Sequence, residues 1–489
     1  MGTLWGLAGI LLALGLLIWL AYRGWSVLLV APAAAVLAAA TAGEPLLASW
    51  TQPFMAGAAR FVAQFFPLFL LGAVFGKLME ASGSALAVAR ALTGRLGRER
   101  AVLSVVLACA VLTYGGVSLF VVAFAVVPVA AALFREAGVP RRLIPGTVAL
   151  GAFTFTMTAL PGTPAIQNAI PMPYFGTTPW AAPGIGVLAA AVMLGFGLWW
   201  LRRAEAAARR AVEGFGDDEW TGAAADNREL RERASTAETF DTAELPRGGA
   251  TAREDDLPLA AVAVMPILVV VGVNLAVTTL VLPRLDASWL AEERWGGTTL
   301  GAVGGVWAVL AGLVAAILVL VLANRRRLPA LRDTVDAGAH ASVLPALNTA
   351  SQVGFGAVVA GLPAFAAVRD GLLSLGGGPL VSLAVATNVL AGITGSASGG
   401  MTIALEALGG RYAAMAAEAG IDPALMHRVA AIATGGLDCL PHNGAVITLL
   451  AICGVTHREG YRDIAVVAIA GPLLSLAVAI AAGSLLGAV

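Results

Sequence analysis

Apolar runs of membrane-spanning length alternate with short polar stretches along most of this chain of 489 residues. Runs such as residues 257–282 and 300–322 exceed the ~20 residues that a helix needs to cross the hydrocarbon core of a bilayer. Only 12% of the residues are charged, whereas a soluble domain carries about 25%. The pattern therefore predicts an all-α polytopic membrane protein.

Arginines at the ends of the apolar runs predict the side of the membrane on which each end lies. The ends that carry arginine clusters are assigned to the cytoplasm by the positive-inside rule. The run 101–134 has such clusters at both ends, so we predict two half-length arms that meet at a polar tip, residues 113–118 (tip 1). The same reasoning predicts a second re-entrant hairpin at 379–408, with both ends outside and its tip at residues 394–400 (tip 2).

The remaining apolar runs complete a fold of about ten transmembrane spans plus the two re-entrant hairpins. The first half has predicted spans at 3–21, 25–42, 55–78, 143–175 and 184–201, and a surface helix near 84–96. The second half has predicted spans at 257–282, 300–322, 343–368, 425–453 and 464–486. The halves begin on opposite sides, so we expect two inverted repeats, 1–203 and 257–489, with both termini outside. The polar stretch 204–256 is predicted to be a cytoplasmic linker, helical near 203–212 and otherwise disordered.

Two of these spans are interrupted by similar strings, which predict two broken helices. Residues 159–166 (ALPGTPAI) resemble residues 439–446 (CLPHNGAV). In hydrocarbon, irregular backbone is tolerated only where protein or a water-filled cavity satisfies its N–H and C=O groups. Broken segments at corresponding places in two halves are typical of secondary transporters built from repeats. We therefore expect the two tips and the two breaks to line a binding site.

The tips and breaks are rich in glycine, hydroxyl and amide residues, which suit the binding of a small anion. A helix that begins at a tip presents free N–H groups and about half a positive charge. This matters because the predicted core contains no lysine or arginine. The alternative is that the small residues only allow tight helix packing. The candidate substrate-binding residues are Thr113, Tyr114, Gly115, Gly116, Ser118, Thr158, Gly162, Thr163, Gln167, Asn168, Thr394, Ser396, Ser398, Gly399 and Asn443.

Asp438 and His442 are the candidates for proton coupling. An ionisable side chain at membrane depth costs at least ~2.5–3.5 kcal/mol, so a functional role is the default interpretation. The two residues are four apart and share a face if the turn is helical. The alternative is a neutral pair that ties the broken helix together. Three further polar residues in apolar spans, Asn348, Gln352 and Asn388, are expected to form interhelical hydrogen bonds in preference to binding a ligand.

Several strings resemble the gluconate:proton symporter family of the ion transporter superfamily. They are residues 160–168 (LPGTPAIQN), 398–406 (SGGMTIALE), 435–448 (GGLDCLPHNGAVIT) and 456–458 (THR). The resemblance covers nearly the whole chain outside the linker. It implies proton-coupled symport of a small hydroxy-carboxylate such as gluconate, glycerate or 3-hydroxybutyrate. It also implies a homodimer with elevator-type motion. The Leu-Pro-His-Asn-Gly form resembles the branch suspected of hydroxybutyrate uptake more than the sugar-acid members.

We therefore expect a secondary active transporter in the bacterial inner (plasma) membrane, with no cofactor. The formal net charge of +0 gives no indication of nucleic-acid binding, and three cysteines without paired spacing do not indicate a metal site. The nearest alternative keeps the fold but couples transport to Na⁺, held by tip carbonyls with Asn443 or Thr163. A remote alternative is an intramembrane enzyme using Asp438 and His442, but the chain has no HExxH or GxSxG motif. A channel is not favoured, because the polar residues cluster at the breaks and not along one face.

Overall fold

The computed structural model describes residues 2–23, 25–216, 257–373, 376–441 and 443–489. Those residues are nearly all helical and contain no β-strand. Six helices of the described part are long and apolar enough to cross a membrane: Leu46–Ala81, Pro183–Arg210, Ala260–Arg284, Leu300–Asn324, Leu331–Gly361 and His457–Leu486. The chain begins with two further helices, Gly2–Tyr22 and Val27–Ala42. The predicted class, an all-α polytopic membrane protein, is confirmed.

Both predicted hairpins form as two helices joined by a tip. Hairpin 1 consists of helices Ala101–Tyr114 and Leu119–Ala137, and hairpin 2 of helices Gly378–Thr394 and Ala397–Glu418; in each, the two arms pack against one another. Tip 2 turns within two residues because Gly395 has a left-handed φ of 65°. The second arm of hairpin 2 continues to Glu418, past the predicted end near residue 408. The side from which each hairpin enters the membrane stays a prediction.

Both broken spans are also present. The first is divided into Ile144–Ala152, Phe155–Thr158, Ile166–Ala169 and Pro171–Phe175. The second is divided into Pro423–Thr434, the 3₁₀ turn Leu437–Cys439 and Gly444–Ile452. We call residues 159–165 break 1 and residues 435–443 break 2. Prolines at 161, 164 and 441 remove backbone donors at these places, which explains why the helices stop there.

Several boundaries differ from the sequence prediction. The helix Ser84–Leu96 is not a surface helix, because Ala85, Val88 and Ala89 are buried where it packs against both arms of hairpin 1 and against the helix Ala260–Ala276. Its small side chains let neighbouring backbones approach closely, which length and charge alone do not reveal. The helix Pro183–Arg210 continues beyond the predicted end at 201, and the final helix begins at His457 instead of 464. The linker beyond residue 216 lies outside the described residues up to 256, so its disorder and its side of the membrane stay predictions.

We call the helices Val27–Ala42, Met55–Ala81 and Leu331–Gly361 the outer helices. The long helix Leu331–Gly361 also contacts hairpin 2. It packs along the helix Met55–Ala81, against Val27–Ala42, and against the second arm of hairpin 2. Glycines bring the partners close together: a Cβ on Gly57 would lie 2.8 Å from Ala357 Cβ. One of the outer helices, Leu331–Gly361, therefore packs beside tip 2. The division of the chain into inverted repeats is not tested by these contacts.

Candidate functional site

Two adjoining cavities lie between the tips and the broken helices. The larger has about 900 Å³ of open space and is bordered by residues of tip 1, of the first broken span and of tip 2. The smaller has about 550 Å³ and is bordered by residues of both broken spans and of tip 2. Leu119, Met157, Gln167 and Ser398 line both cavities. The chain thus brings segments that are distant in sequence around two neighbouring cavities that share part of their walls.

The predicted site residues divide into two groups. Those that line one or both cavities are Thr113, Gly116, Ser118, Thr158, Gln167, Ser396, Ser398, Asp438 and Asn443. Those outside the lining of these cavities are Tyr114, Gly115, Gly162, Thr163, Asn168, Thr394 and Gly399. His442, the second proton-coupling candidate, lies outside the described residues. The binding roles of all these residues stay predictions.

Tip 1 lines the larger cavity with the hydroxyl residues Thr113 and Ser118, whereas Tyr114 and Gly115 pack against other segments. Thr113 is 3% exposed, and its Oγ1 has no hydrogen-bond partner in the described part of the chain. The Tyr114 hydroxyl donates to the Pro161 carbonyl at 2.8 Å, which ties tip 1 to break 1. A Cβ on Gly115 would lie 2.7 Å from Ile267, and one on Gly116 2.8 Å from Pro164. Tyr114 and Gly115 therefore act here as packing residues.

Tip 2 is held by its own hydroxyl groups. Ser396 Oγ accepts from the Gly399 N–H at 3.0 Å and caps the helix that begins at Ala397. Thr394 Oγ1 donates to the Leu390 carbonyl at 2.8 Å, so its hydrogen is engaged within its own helix. Ser398 is 1% exposed and lies in the first turn, 3.5 Å from Ser396 Oγ. The start of this 22-residue helix therefore lies at the boundary of both cavities.

Break 1 is held together by a buried amide, Asn168. Its Nδ2 donates to the carbonyls of Thr163 and Pro179, both at 3.0 Å. Its Oδ1 accepts from Arg428 at 3.1 Å and lies 3.2 Å from Nε2 of His427. A primary amide has two donors and an oxygen with two lone pairs, so both donors and at least one lone pair of this side chain are used. Asn168 therefore holds break 1 together in this structure.

Gly162 and Thr163 are likewise engaged within the protein. The Gly162 N–H donates to Pro179 O at 2.8 Å, and its carbonyl accepts from the Asn274 side chain at 3.1 Å. Its φ of 78° suits glycine, and a Cβ would lie 2.4 Å from the Trp180 ring. Thr163 is completely buried and accepts from the Ala165 N–H at 3.3 Å. The polar groups of Gly162 and Thr163 in break 1 thus form hydrogen bonds within the protein.

Arg428 corrects the prediction that the core contains no lysine or arginine. It is 0% exposed. Its guanidinium donates to Ala181 O at 2.7 and 3.0 Å and to Ala159 O at 3.2 Å. A broken helix leaves carbonyls without intrahelical donors, and a guanidinium fork with five N–H groups can satisfy several at once. The signal was present in the sequence, because Arg428 falls inside the predicted span 425–453 and not at its end.

Break 2 leaves a carboxyl group facing the smaller cavity. Asp438 is 9% exposed, and its Oδ1 has no hydrogen-bond partner within the described ranges. The flanking backbone is fixed, because Asn388 Oδ1 accepts from the Leu437 N–H at 3.2 Å. Asn443 donates to the Gly395 carbonyl and accepts from two N–H groups of the next helix, so break 2 is tied to tip 2. A carboxyl group in such a place can take up and release a proton.

The side chains that most often hold metal ions do not cluster in the described part of the chain. No group of three or more His, Cys, Asp or Glu side chains among those residues could hold a metal ion. The three cysteines, Cys109, Cys439 and Cys453, are buried and form no disulfide with one another.

Comparison with known proteins identifies a relative of nearly the same length. The chain is 43% identical over 463 residues to the uncharacterized transporter YxjC of Bacillus subtilis (strain 168), covering 93% of this chain and 94% of the relative. It belongs to the same transporter family. No protein-family model matches the chain. A solved structure of Neisseria gonorrhoeae MtrF, described among a class of antimetabolite efflux pumps, covers 90% of this chain and 84% of its own, with 13% identity and a TM-score of 0.49. That likeness is too weak to support an argument about this chain.

Proposed function

We propose that this transporter carries out proton-coupled symport of a small organic anion, a hydroxy-carboxylate such as gluconate, glycerate or 3-hydroxybutyrate. The observation that supports this most directly is Asp438, a buried carboxyl group with an unpartnered oxygen beside the smaller cavity. The sequence strings that resemble the gluconate:proton symporter family support the same assignment.

The anion would bind at tip 2. Ser398 lines both cavities, and the helix Ala397–Glu418 begins beside it with N–H groups at the positive end of its dipole. Gln167, whose Oε1 has no partner in the described part of the chain, and Thr113 supply further polar groups on the wall of the larger cavity.

Coupling follows from charge. An ionised Asp438 would repel an anion bound nearby at tip 2, since like charges in a poorly solvated site interact strongly. A protonated Asp438 removes this repulsion and can donate a hydrogen bond. Proton and anion would therefore bind together and leave together, which is symport. The hairpins and broken helices would move against the outer helices to carry both across.

We further propose a homodimer of two inverted repeats in the bacterial inner membrane, with both termini outside and the linker 204–256 in the cytoplasm. Labelling of single cysteines placed at the C-terminus and in the linker, from each side of intact cells, tests the sidedness. Mass measurement of the protein in lipid nanodiscs tests the dimer.

The decisive experiment is uptake of labelled 3-hydroxybutyrate and gluconate into proteoliposomes under an imposed inward proton gradient, with and without Na⁺. We expect accumulation of one of them that depends on the proton gradient and not on Na⁺. Accumulation that persists with the proton gradient collapsed and requires Na⁺ would instead support sodium coupling.

A further inference from the structure

Gln352 is a buried amide whose hydrogen-bonding capacity is unused. It lies in the helix Leu331–Gly361 and is 0% exposed. Neither its Oε1 nor its Nε2 has a hydrogen-bond partner among the described residues, so the interhelical bond expected from the sequence is not formed. Most buried polar side chains in proteins are paired, and an unpaired one destabilises the fold. The position of this amide therefore calls for an explanation.

The amide is directed at tip 2. A Cβ built on Gly399 would lie 1.4 Å from Gln352 Oε1, so the amide occupies the space where a side chain at position 399 would begin. The same point lies 3.1 Å from Ser396 Oγ. Gly399 is in the first turn of the 22-residue helix Ala397–Glu418. An unpartnered amide and the positive end of a long helix therefore face the same spot.

This spot lies behind the cavity wall, because neither Gln352 nor Gly399 belongs to the lining of either cavity, whereas their neighbours do. Ala341, Ser342 and Pro345 of the same long helix line that cavity. Pro345 and Gln352 are seven residues apart, which places them on one face of the helix, two turns from each other. On the other side, Ser398 lines the cavity and is the chain neighbour of Gly399. A ligand bound at Ser398 is thus one residue from Gly399, the residue that the amide faces.

The chemistry of an amide distinguishes its ligand from a simple anion. A primary amide is uncharged and can both donate and accept, as a hydroxyl group does. Helix N–H groups and the Ser398 hydroxyl suit a carboxylate, which only accepts. Building on the function proposed above, we propose that Gln352 hydrogen-bonds a hydroxyl group of the transported anion. It thereby selects hydroxy-carboxylates over carboxylates without the hydroxyl.

The test compares proton-driven uptake of 3-hydroxybutyrate and butyrate, and of glycerate and propionate, by wild type and Gln352→Met in proteoliposomes. Methionine keeps the length of the side chain and removes its hydrogen bonds. We expect the KM for the hydroxylated anion to rise by about 10- to 100-fold in Gln352→Met, with the KM for its partner without the hydroxyl little changed. Asn324→Leu is the matched control, because Asn324 is 1% exposed and has an unpartnered Oδ1 within the described chain, but is not among the atoms nearest to a Cβ at Gly399. Its selectivity should equal that of wild type.

Each result decides a separate question. A preference for the hydroxylated anions that survives in Gln352→Met, or an equal loss for both members of a pair, would overturn the role of Gln352 and leave proton-coupled uptake standing. If wild type takes up butyrate as well as 3-hydroxybutyrate, and propionate as well as glycerate, the role of Gln352 is likewise overturned and proton-coupled uptake still stands. If a thermal unfolding measurement shows that the protein is folded, and no anion is taken up under a proton gradient, both the proposed function and this inference are overturned.

Discussion

Break 1 and break 2 carry similar strings, yet they use their polar groups in different ways. In break 1 the carbonyls and the nearby Asn168 are paired with Arg428, His427 and Asn274, all contributed by other segments. In break 2 the backbone is fixed by Asn388 and Asn443, but Asp438 keeps an oxygen without a partner in the described chain and faces a cavity. The polar groups of break 1 are paired with other parts of the protein, and break 2 leaves one titratable group unpaired beside a cavity.

The similar strings of break 1 and break 2 do not themselves explain why their polar groups are paired differently. Leu-Pro occurs in both, and in both it ends a helix because proline removes a donor. The fate of the freed backbone groups depends on which side chains other segments bring to them. A broken membrane helix is therefore evidence of a cavity or of a buried donor, and only the packing distinguishes the two.

The largest effect is expected from removing the donor that closes break 1. Arg428→Met would leave the carbonyls of Ala159 and Ala181 and the Asn168 oxygen without this donor. Each buried unsatisfied acceptor costs about 1–3 kcal/mol, so the variant should lose several kcal/mol and unfold at a much lower temperature in detergent. Arg332→Ala, an arginine whose side chain is 92% exposed, is the control and should unfold like wild type. A normal unfolding temperature for Arg428→Met would show that break 1 does not depend on this contact.

Asp438→Asn should affect transport and leave the fold intact. Asparagine is close in shape but cannot take up a proton, so accumulation driven by a proton gradient should fall to background. Exchange of labelled for unlabelled anion should persist. Asp333→Asn, on the exposed start of the helix Leu331–Gly361, is the control and should accumulate substrate normally. If Asp438→Asn still accumulates substrate with wild-type pH dependence, Asp438 has no part in coupling.

A matched pair of amides sharpens the comparison between the breaks. Asn274 donates to Gly162 in break 1 and accepts from Trp180, whereas Asn388 accepts from Leu437 in break 2. Asn274→Ala should lower stability by about 1–3 kcal/mol with a normal transport rate per folded molecule. Asn388→Ala should reduce the transport rate as well, because it frees the turn that holds Asp438. Equal transport rates per folded molecule in Asn274→Ala and Asn388→Ala would contradict the difference in role between break 1 and break 2.

The smallest effect is expected away from both breaks, at Arg142 and Glu213. Arg142 donates two hydrogen bonds to Glu213, at 2.6 and 2.8 Å, and lies 3.4 Å from Asp463. These bonds hold the pKa of Glu213 below its usual value of 4.5, although both side chains are about one-third exposed and the charge is screened. The stabilisation is present above pH 4.5 and is lost as the pH falls through the lower, native pKa. In thermal unfolding at pH 7, Glu213→Gln should therefore lower the free energy of unfolding by less than about 1 kcal/mol. In acid the substitution should leave the free energy of unfolding unchanged.

Much of the fold could be predicted because hydrophobic length and arginine placement are local signals. Hairpin 1 begins at Ala101 as expected, and both helix breaks occur where proline and glycine interrupt apolar runs. The buried environment of the helix Ser84–Leu96 was missed, since it depends on which neighbours cover small side chains. The pairing of Arg428 with break 1 and the meeting of Gln352 with Gly399 were missed for the same reason. Each joins residues far apart in sequence.

Whether break 2 and not break 1 carries the proton is tested most directly by measuring proton movement with substrate. A pH-sensitive dye inside proteoliposomes reports acidification as external 3-hydroxybutyrate or gluconate enters, in wild type, Asp438→Asn and Asn274→Ala. We predict acidification coupled to uptake in wild type and Asn274→Ala, and exchange without proton movement in Asp438→Asn. Substrate-coupled acidification that survives in Asp438→Asn would contradict the assignment of the proton to break 2.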